Sequence, residues 1–168
     1  ALQGKPDLAN EIIEHIRSLG LEVEASNSIE LDHGFIVPLK QLLPTPNTPV
    51  IPIITQPART FSPFNARVFG ESLREIIEKS GLRVAVLGTG GVSHWLDPGK
   101  FGFVDLEFDR YILDLLEAGQ GLNLANLEPY ALLSHGQYEF LNWIIMLGIV
   151  GPGVRAETYA YEPMTASG

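Results

Sequence analysis

Two short β-branched runs, PVIPIIT at 49–55 and RVAVLGTGG at 83–91, lie on either side of a stretch with helical spacing, and that order leaves few folds open. Between them, Ser62-Pro63 offers a cap and a first-turn proline, Val68, Leu73, Ile76 and Ile77 share one face, and Gly81 marks a stop. Parallel strands need a helical crossover of this kind, so the alternation predicts an α/β fold: a layered α/β/α domain with helices over both faces of a mainly parallel or mixed central sheet. The rest of the chain extends the pattern. Leu8, Ile12, Ile13, Ile16 and Leu19 predict a first helix that stops at Gly20, and LEVEA (21–25) alternates like a strand. FDRYILDLLEAG (108–119) and EFLNWIIMLG (139–148) predict two further helices, and VRAETYAYEP (154–163) predicts a closing strand. The proline-rich stretches 44–52 and 57–63 read as loops and strand entrances.

A chain of 168 residues predicts one domain, 1–168, with a sizeable core. Its net charge of −9 is scattered and contains no basic stripe, which argues against nucleic acid and anionic membrane surfaces as partners. No apolar stretch approaches the roughly 20 residues of a bilayer span, and the first residues lack a basic segment leading into an apolar one, so a soluble, cytoplasmic protein is expected. With no cysteine in the sequence, disulfides, thiolate metal sites and a thiol nucleophile are excluded. Metal ligands would have to come from His, Asp and Glu, which directs attention to the four histidines.

His94 stands in GTGGVSHW (88–95), where an expected strand ends. Ligands of α/β sheets gather at such ends, and Gly88, Gly90 and Gly91 let backbone approach a substrate. A tight turn with a histidine bonded to nearby backbone explains the same residues. A dinucleotide fingerprint is a poor match, since Ser93 replaces its last glycine and Asp97, Pro98 and Gly99 interrupt the helix that should follow. Adjacency alone does not make Ser93 and His94 a nucleophile and base. Glu139 is a carboxylate in an otherwise apolar stretch, which suits a metal ligand, an exposed helix face or a helix cap. His135, one turn earlier, reads as part of the turn that begins that helix, and His15, among Glu11, Glu14 and Arg17, reads as solvent-facing. In ELDHGFIVPL (30–39), His33 has a possible carboxylate partner in Asp32, though a helix cap accounts for Asp32 equally well.

Taken in order, LDHGFIVPL, VLGTGGVSHW, FDRYILDLLEAG and GQYEFLNWIIMLG resemble the class III extradiol ring-cleaving dioxygenases, the LigB family, over nearly the whole chain. The resemblance implies an α/β fold and cleavage of a catechol-type ring beside its paired hydroxyls with non-haem Fe(II) and O₂. It implies Glu139 as an iron-binding carboxylate, His94 as the active-site histidine that handles a substrate hydroxyl proton, and His33 as the second active-site histidine. Gly90, Gly91, Ser93 and Trp95 are then candidate substrate-binding residues. Phe35, Phe61, Phe64 and Phe101 could add apolar walls, and Arg59 or Arg67 could hold a substrate carboxylate. The family's two iron-binding histidines precede the DHG motif and have no counterpart here, His15 included. The sequence is therefore expected to be the C-terminal portion of such a catalytic domain, which by itself binds iron weakly and does not turn over, and which associates with another chain or with copies of itself. The competing expectation is a non-catalytic metal-binding or interaction protein of the same fold.

Overall fold

The computed structural model describes residues 2–43, 45, 47–55, 58 and 60–163. The chain forms two compact units, Ala1–Ile54 and Thr55–Gly168. In the first, α1 (Pro6–Ser18) begins with proline in its first turn and buries Leu8, Ile12 and Ile16, the stripe expected from the sequence. Helix α2 (His33–Leu42) is capped by Asp32, whose carboxylate accepts from Gly34 N–H at 3.0 Å.

The second unit holds α3 (Pro63–Ser80), α4 (Leu106–Glu117), α5 (Pro129–Ser134) and α6 (Leu141–Val150), with short 3-10 turns at Pro98–Lys100 and Gly121–Asn126. Ser62 caps α3 by accepting from Asn65 N–H at 3.1 Å, and Gly81 closes it with φ +65°. Leu73 and Ile76 on α3 and Ile144, Ile145 and Leu147 on α6 are buried between these helices and the 121–126 turn. The two helix backbones touch where Gly70 meets Gly148: a Cβ on Gly148 would lie 2.8 Å from the Arg67 carbonyl oxygen and 2.9 Å from Gly70 Cα. Only a residue without a side chain permits that approach. Helix α4 turns Ile112, Leu113 and Leu116 inward together with one carboxylate, Asp109.

The expected layered α/β/α domain with a central sheet is overturned. Among the described residues there is no β-strand, and the isolated bridge is a parallel one between His94 and Gln137. The runs at 21–25, 49–55, 83–91 and 154–163 follow no ladder. Alternation and β-branching describe a side-chain pattern, whereas a strand also needs a neighbour for its backbone groups. Here some of those groups find other partners. Val50 N–H donates to the Gln3 carbonyl at 2.8 Å, Ala156 N–H to the Leu116 carbonyl at 3.0 Å, and the Thr89 carbonyl accepts from the Asn142 side chain at 3.2 Å.

Candidate functional site

Within the second unit, three segments far apart in sequence converge: the loop 88–95, the start of α4, and the turn between α5 and α6. Gly136, at φ +74°, ends α5, and the chain then passes through Gln137, Tyr138 and Glu139 before the fully buried Phe140 leads into α6. Glu139 therefore stands in a turn, two residues ahead of the helix in which the periodicity set it. Its side chain lies against the glycine loop, so that a Cβ on Gly90 would sit 2.8 Å from Glu139 Cβ and 3.0 Å from its Oε2. Gly90, at φ +101°, is thus both a turn residue and a close neighbour of the carboxylate. On the other side, His94 Nδ1 lies 3.3 Å from Glu139 Oε2, with the two side chains 33% and 43% exposed. One histidine and one carboxylate, 45 residues apart in sequence, face each other where a ligand from solvent can reach both.

The pair is held by backbone as much as by side chains. His94 N–H donates to the Gly136 carbonyl at 2.8 Å, and Ser93 N–H to Gln137 Oε1 at 3.3 Å. Ser93 occupies the left-handed region at φ +49°, uncommon for a residue with a side chain. Its hydroxyl donates to Asp109 Oδ1 at 2.8 Å and accepts from Asp105 N–H at 2.9 Å. Asp109 is fully buried and also accepts from Gln137 Nε2 at 2.8 Å and Tyr161 Oη at 2.7 Å. Burial, and then the bond to Asp109, push the Tyr161 phenol far above its ordinary range, so it remains a donor to Asp109.

A second histidine–carboxylate contact borders this network. His135 Nδ1 meets Asp105 Oδ2 at 2.6 Å, and its ring stacks on Phe108 at 4.0 Å. Asp105 also caps α4 by accepting from Phe108 N–H at 3.1 Å. Burial works against an ionised Asp105, but the hydrogen bonds from His135 and Phe108 and the charge of His135 together outweigh it, and its carboxyl titrates below the ordinary value.

The other candidates are spread more widely. His33 opens α2 in the first unit and is exposed, and Asp32 is engaged by the helix N-terminus. His15 is half-buried on α1. An added Cβ on Gly91 would meet open space. Trp95 is buried against Gly136 with its ring edge toward Phe103 and Tyr138, and it lines a cavity of ≈ 420 Å³ with Lys100 and Tyr130. Phe61 packs on Phe69, Phe64 and Phe101 are exposed, and Phe35 is half-buried in the first unit. Arg67 is paired with Glu71 at 2.8 Å, and Arg59 lies outside the described residues. Sequence reasoning passed over Asp105, Asp109, Gln137 and Tyr161. Asp109 had left a trace, being a carboxylate in register with Ile112, Leu113 and Leu116 on the apolar stripe of α4.

Comparison with known proteins bears on this geometry. A family model described as "Catalytic LigB subunit of aromatic ring-opening dioxygenase" matches residues 1–168. The chain is similar to a gallate dioxygenase of Pseudomonas putida, 34% identical over 140 residues that make up 78% of this chain and 41% of that protein. It is 38% identical over 91 residues, 52% of the chain and 29% of the relative, to a 2,3-dihydroxyphenylpropionate/2,3-dihydroxicinnamic acid 1,2-dioxygenase of Azotobacter vinelandii. A 4,5-DOPA dioxygenase extradiol of Mirabilis jalapa is 27% identical over 164 residues, 92% of the chain and 59% of that protein. The chain thus spans less than two thirds of the length of each of these relatives.

Proposed function

We propose that this chain, which belongs to the family of catalytic LigB subunits of aromatic ring-opening dioxygenases, supplies part of the machinery for extradiol cleavage of a catechol-type ring by O₂ with Fe(II). The observation that carries the reading is the juxtaposition of His94 and Glu139 at 3.3 Å beside a glycine loop, in a position open to solvent. The relatives' names add gallate, 2,3-dihydroxyphenylpropionate and 3,4-dihydroxyphenylacetate, which share adjacent ring hydroxyls and a carboxylate.

In this reading His94 is the base. A proton on Nδ1, facing Glu139, leaves the lone pair of Nε2 to take the proton of a ring hydroxyl. Imidazole suits this step because its ordinary pKa lies near neutrality. Glu139, whose Oε2 lies 3.3 Å from that Nδ1, favours a proton there by its charge and is the carboxylate of this chain that would hold the metal. Fe(II) bound by two histidines and a carboxylate supplies open positions for a bidentate diol. Among the described residues no three His, Asp or Glu side chains converge on a metal position, so these residues do not make a full ligand set by themselves. O₂ is the sole oxidant, and both its atoms end in the ring-opened product, one in a carboxylic acid and one in a carbonyl. His33 is assigned, by the family motif, as the acid or hydrogen-bond donor to the ring-cleavage intermediate.

The test is catechol-dependent O₂ uptake in the presence of Fe(II) by protein in which this chain is joined to the two further histidine ligands, with gallate, 2,3-dihydroxyphenylpropionate and 3,4-dihydroxyphenylacetate as substrates. Uptake that disappears in Glu139→Ala and slows in His33→Ala, with Fe(II) still bound in the latter, is the expected result. Undiminished uptake in Glu139→Ala would overturn the reading.

A further inference from the structure

We infer that Asp109 is a positioning residue for the His94–Glu139 pair, a role that rests on the proposed function for its value in turnover and on geometry for everything else. Asp109 is completely buried on the apolar face of α4. A leucine there would continue the stripe of Ile112, Leu113 and Leu116 without taking a carboxylate out of water. What a carboxylate does, and a leucine cannot, is hold donors from two distant segments at one point. Its Oδ1 accepts both Ser93 Oγ and Gln137 Nε2 at 2.8 Å, residues 44 apart in sequence.

These two partners stand one and two residues ahead of the pair. His94 follows Ser93 directly, and Glu139 follows Gln137 by two residues. Ser93 sits in the left-handed region, where the sharp reversal of the chain aims the next side chain, and its hydroxyl is pinned by Asp109 and by Asp105 N–H. Gln137 is pinned on both ends of its amide, Nε2 to Asp109 and Oε1 to Ser93 N–H. The bond from His94 N–H to the Gly136 carbonyl completes the link. Fixing Ser93 and Gln137 to one oxygen therefore fixes the separation of the base and the carboxylate. Tyr161, donating to the other oxygen, keeps the Asp109 carboxylate from rotating.

The experiment follows the imidazole nitrogen signals of His94 by NMR in the full chain labelled with ¹⁵N-histidine, at one fixed pH. Glu139→Gln defines the signal of a His94 that has lost its carboxylate neighbour. Asp109→Leu should move the His94 signals most of the way toward that position. Ser93→Gly should do the same while relieving the left-handed backbone, so a folded variant is available even if Asp109→Leu does not fold. Asp109→Asn keeps an oxygen for Ser93 and Gln137 and should hold the wild-type signals. Leu124→Ala, a core truncation that removes none of these hydrogen bonds, should leave them in place. In a turnover assay, Ser93→Gly should lower kcat about 10- to 100-fold with KM little changed. Wild-type His94 signals in both Asp109→Leu and Ser93→Gly, an equal movement in Leu124→Ala, or identical signals in wild type and Glu139→Gln would each overturn the inference. Absence of ring cleavage would count against the proposed function alone, because the nitrogen signals decide the positioning role without it.

Discussion

Segment 83–91 and helix α6 are both strongly apolar and both belong to the unit Thr55–Gly168, yet they meet solvent in opposite ways. Ile144 is fully buried and Leu147 is 8% exposed, whereas Val84 and Leu87 are 44% and 46% exposed. The difference lies in the backbone. A helix closes its own hydrogen bonds, so α6 needs only a facing surface, which α3 provides. A strand's backbone needs a neighbour that the composition of RVAVL does not specify. The candidate site lies where the two regions meet, with Gly88 against Met146 and Gly90 against Glu139.

The contrast can be broken most sharply on the helical side. Gly148→Leu should destabilise this unit by about 3 kcal/mol, at the upper end for overpacking, because the added atoms meet backbone that cannot move aside. Denaturant unfolding measures it, and a tolerated leucine would mean that α3 and α6 are not in backbone contact.

A smaller effect is expected where the turn ahead of α6 is clasped to α4. Removing the cap and His135 partner in Asp105→Ala should cost about 1 kcal/mol at neutral pH. Asp105 has a lowered carboxyl pKa in the folded protein, so its contribution is complete above the ordinary carboxylate value and is lost as the pH falls through the lowered one. The wild type and Asp105→Ala should therefore converge in stability over roughly pH 5 to pH 2. A gap that stays constant on acidification would show that the clasp does not depend on the Asp105 charge.

The smallest effect belongs to the exposed segment. Val84→Ala should change stability by less than about 0.5 kcal/mol, as at an ordinary surface position. A loss of the size expected for a core valine would place 83–91 inside the protein and dissolve the comparison.

What could be read from the residues follows the same division. Helices α1, α3 and α4 announce themselves by spacing, and α3 also by its Ser62-Pro63 cap, because these determinants are local, whereas α6 is apolar nearly all round and shows only as an apolar run. The four expected strands rested on side-chain pattern alone, and the pairing that makes a strand is not written locally. Helix α2 was half legible, in the Asp32 cap but not in the run Phe35–Leu39, which lacks a clear polar face. At the site, no spacing rule brings Ser93-His94 to Gln137–Glu139, and only the family resemblance grouped them. Asp109 was visible as a carboxylate on an apolar stripe, the kind of local inconsistency that marks a polar network.

His94 and Glu139 have different jobs at one place in the proposed function, and Fe(II) titration of two single variants, in protein that also holds the two further histidine ligands, tests that most directly. Glu139→Ala should weaken Fe(II) binding at least about tenfold, while His94→Ala should retain it and lose catechol-dependent O₂ uptake. Equal loss of iron in both variants, or retention in Glu139→Ala, would contradict the division of roles.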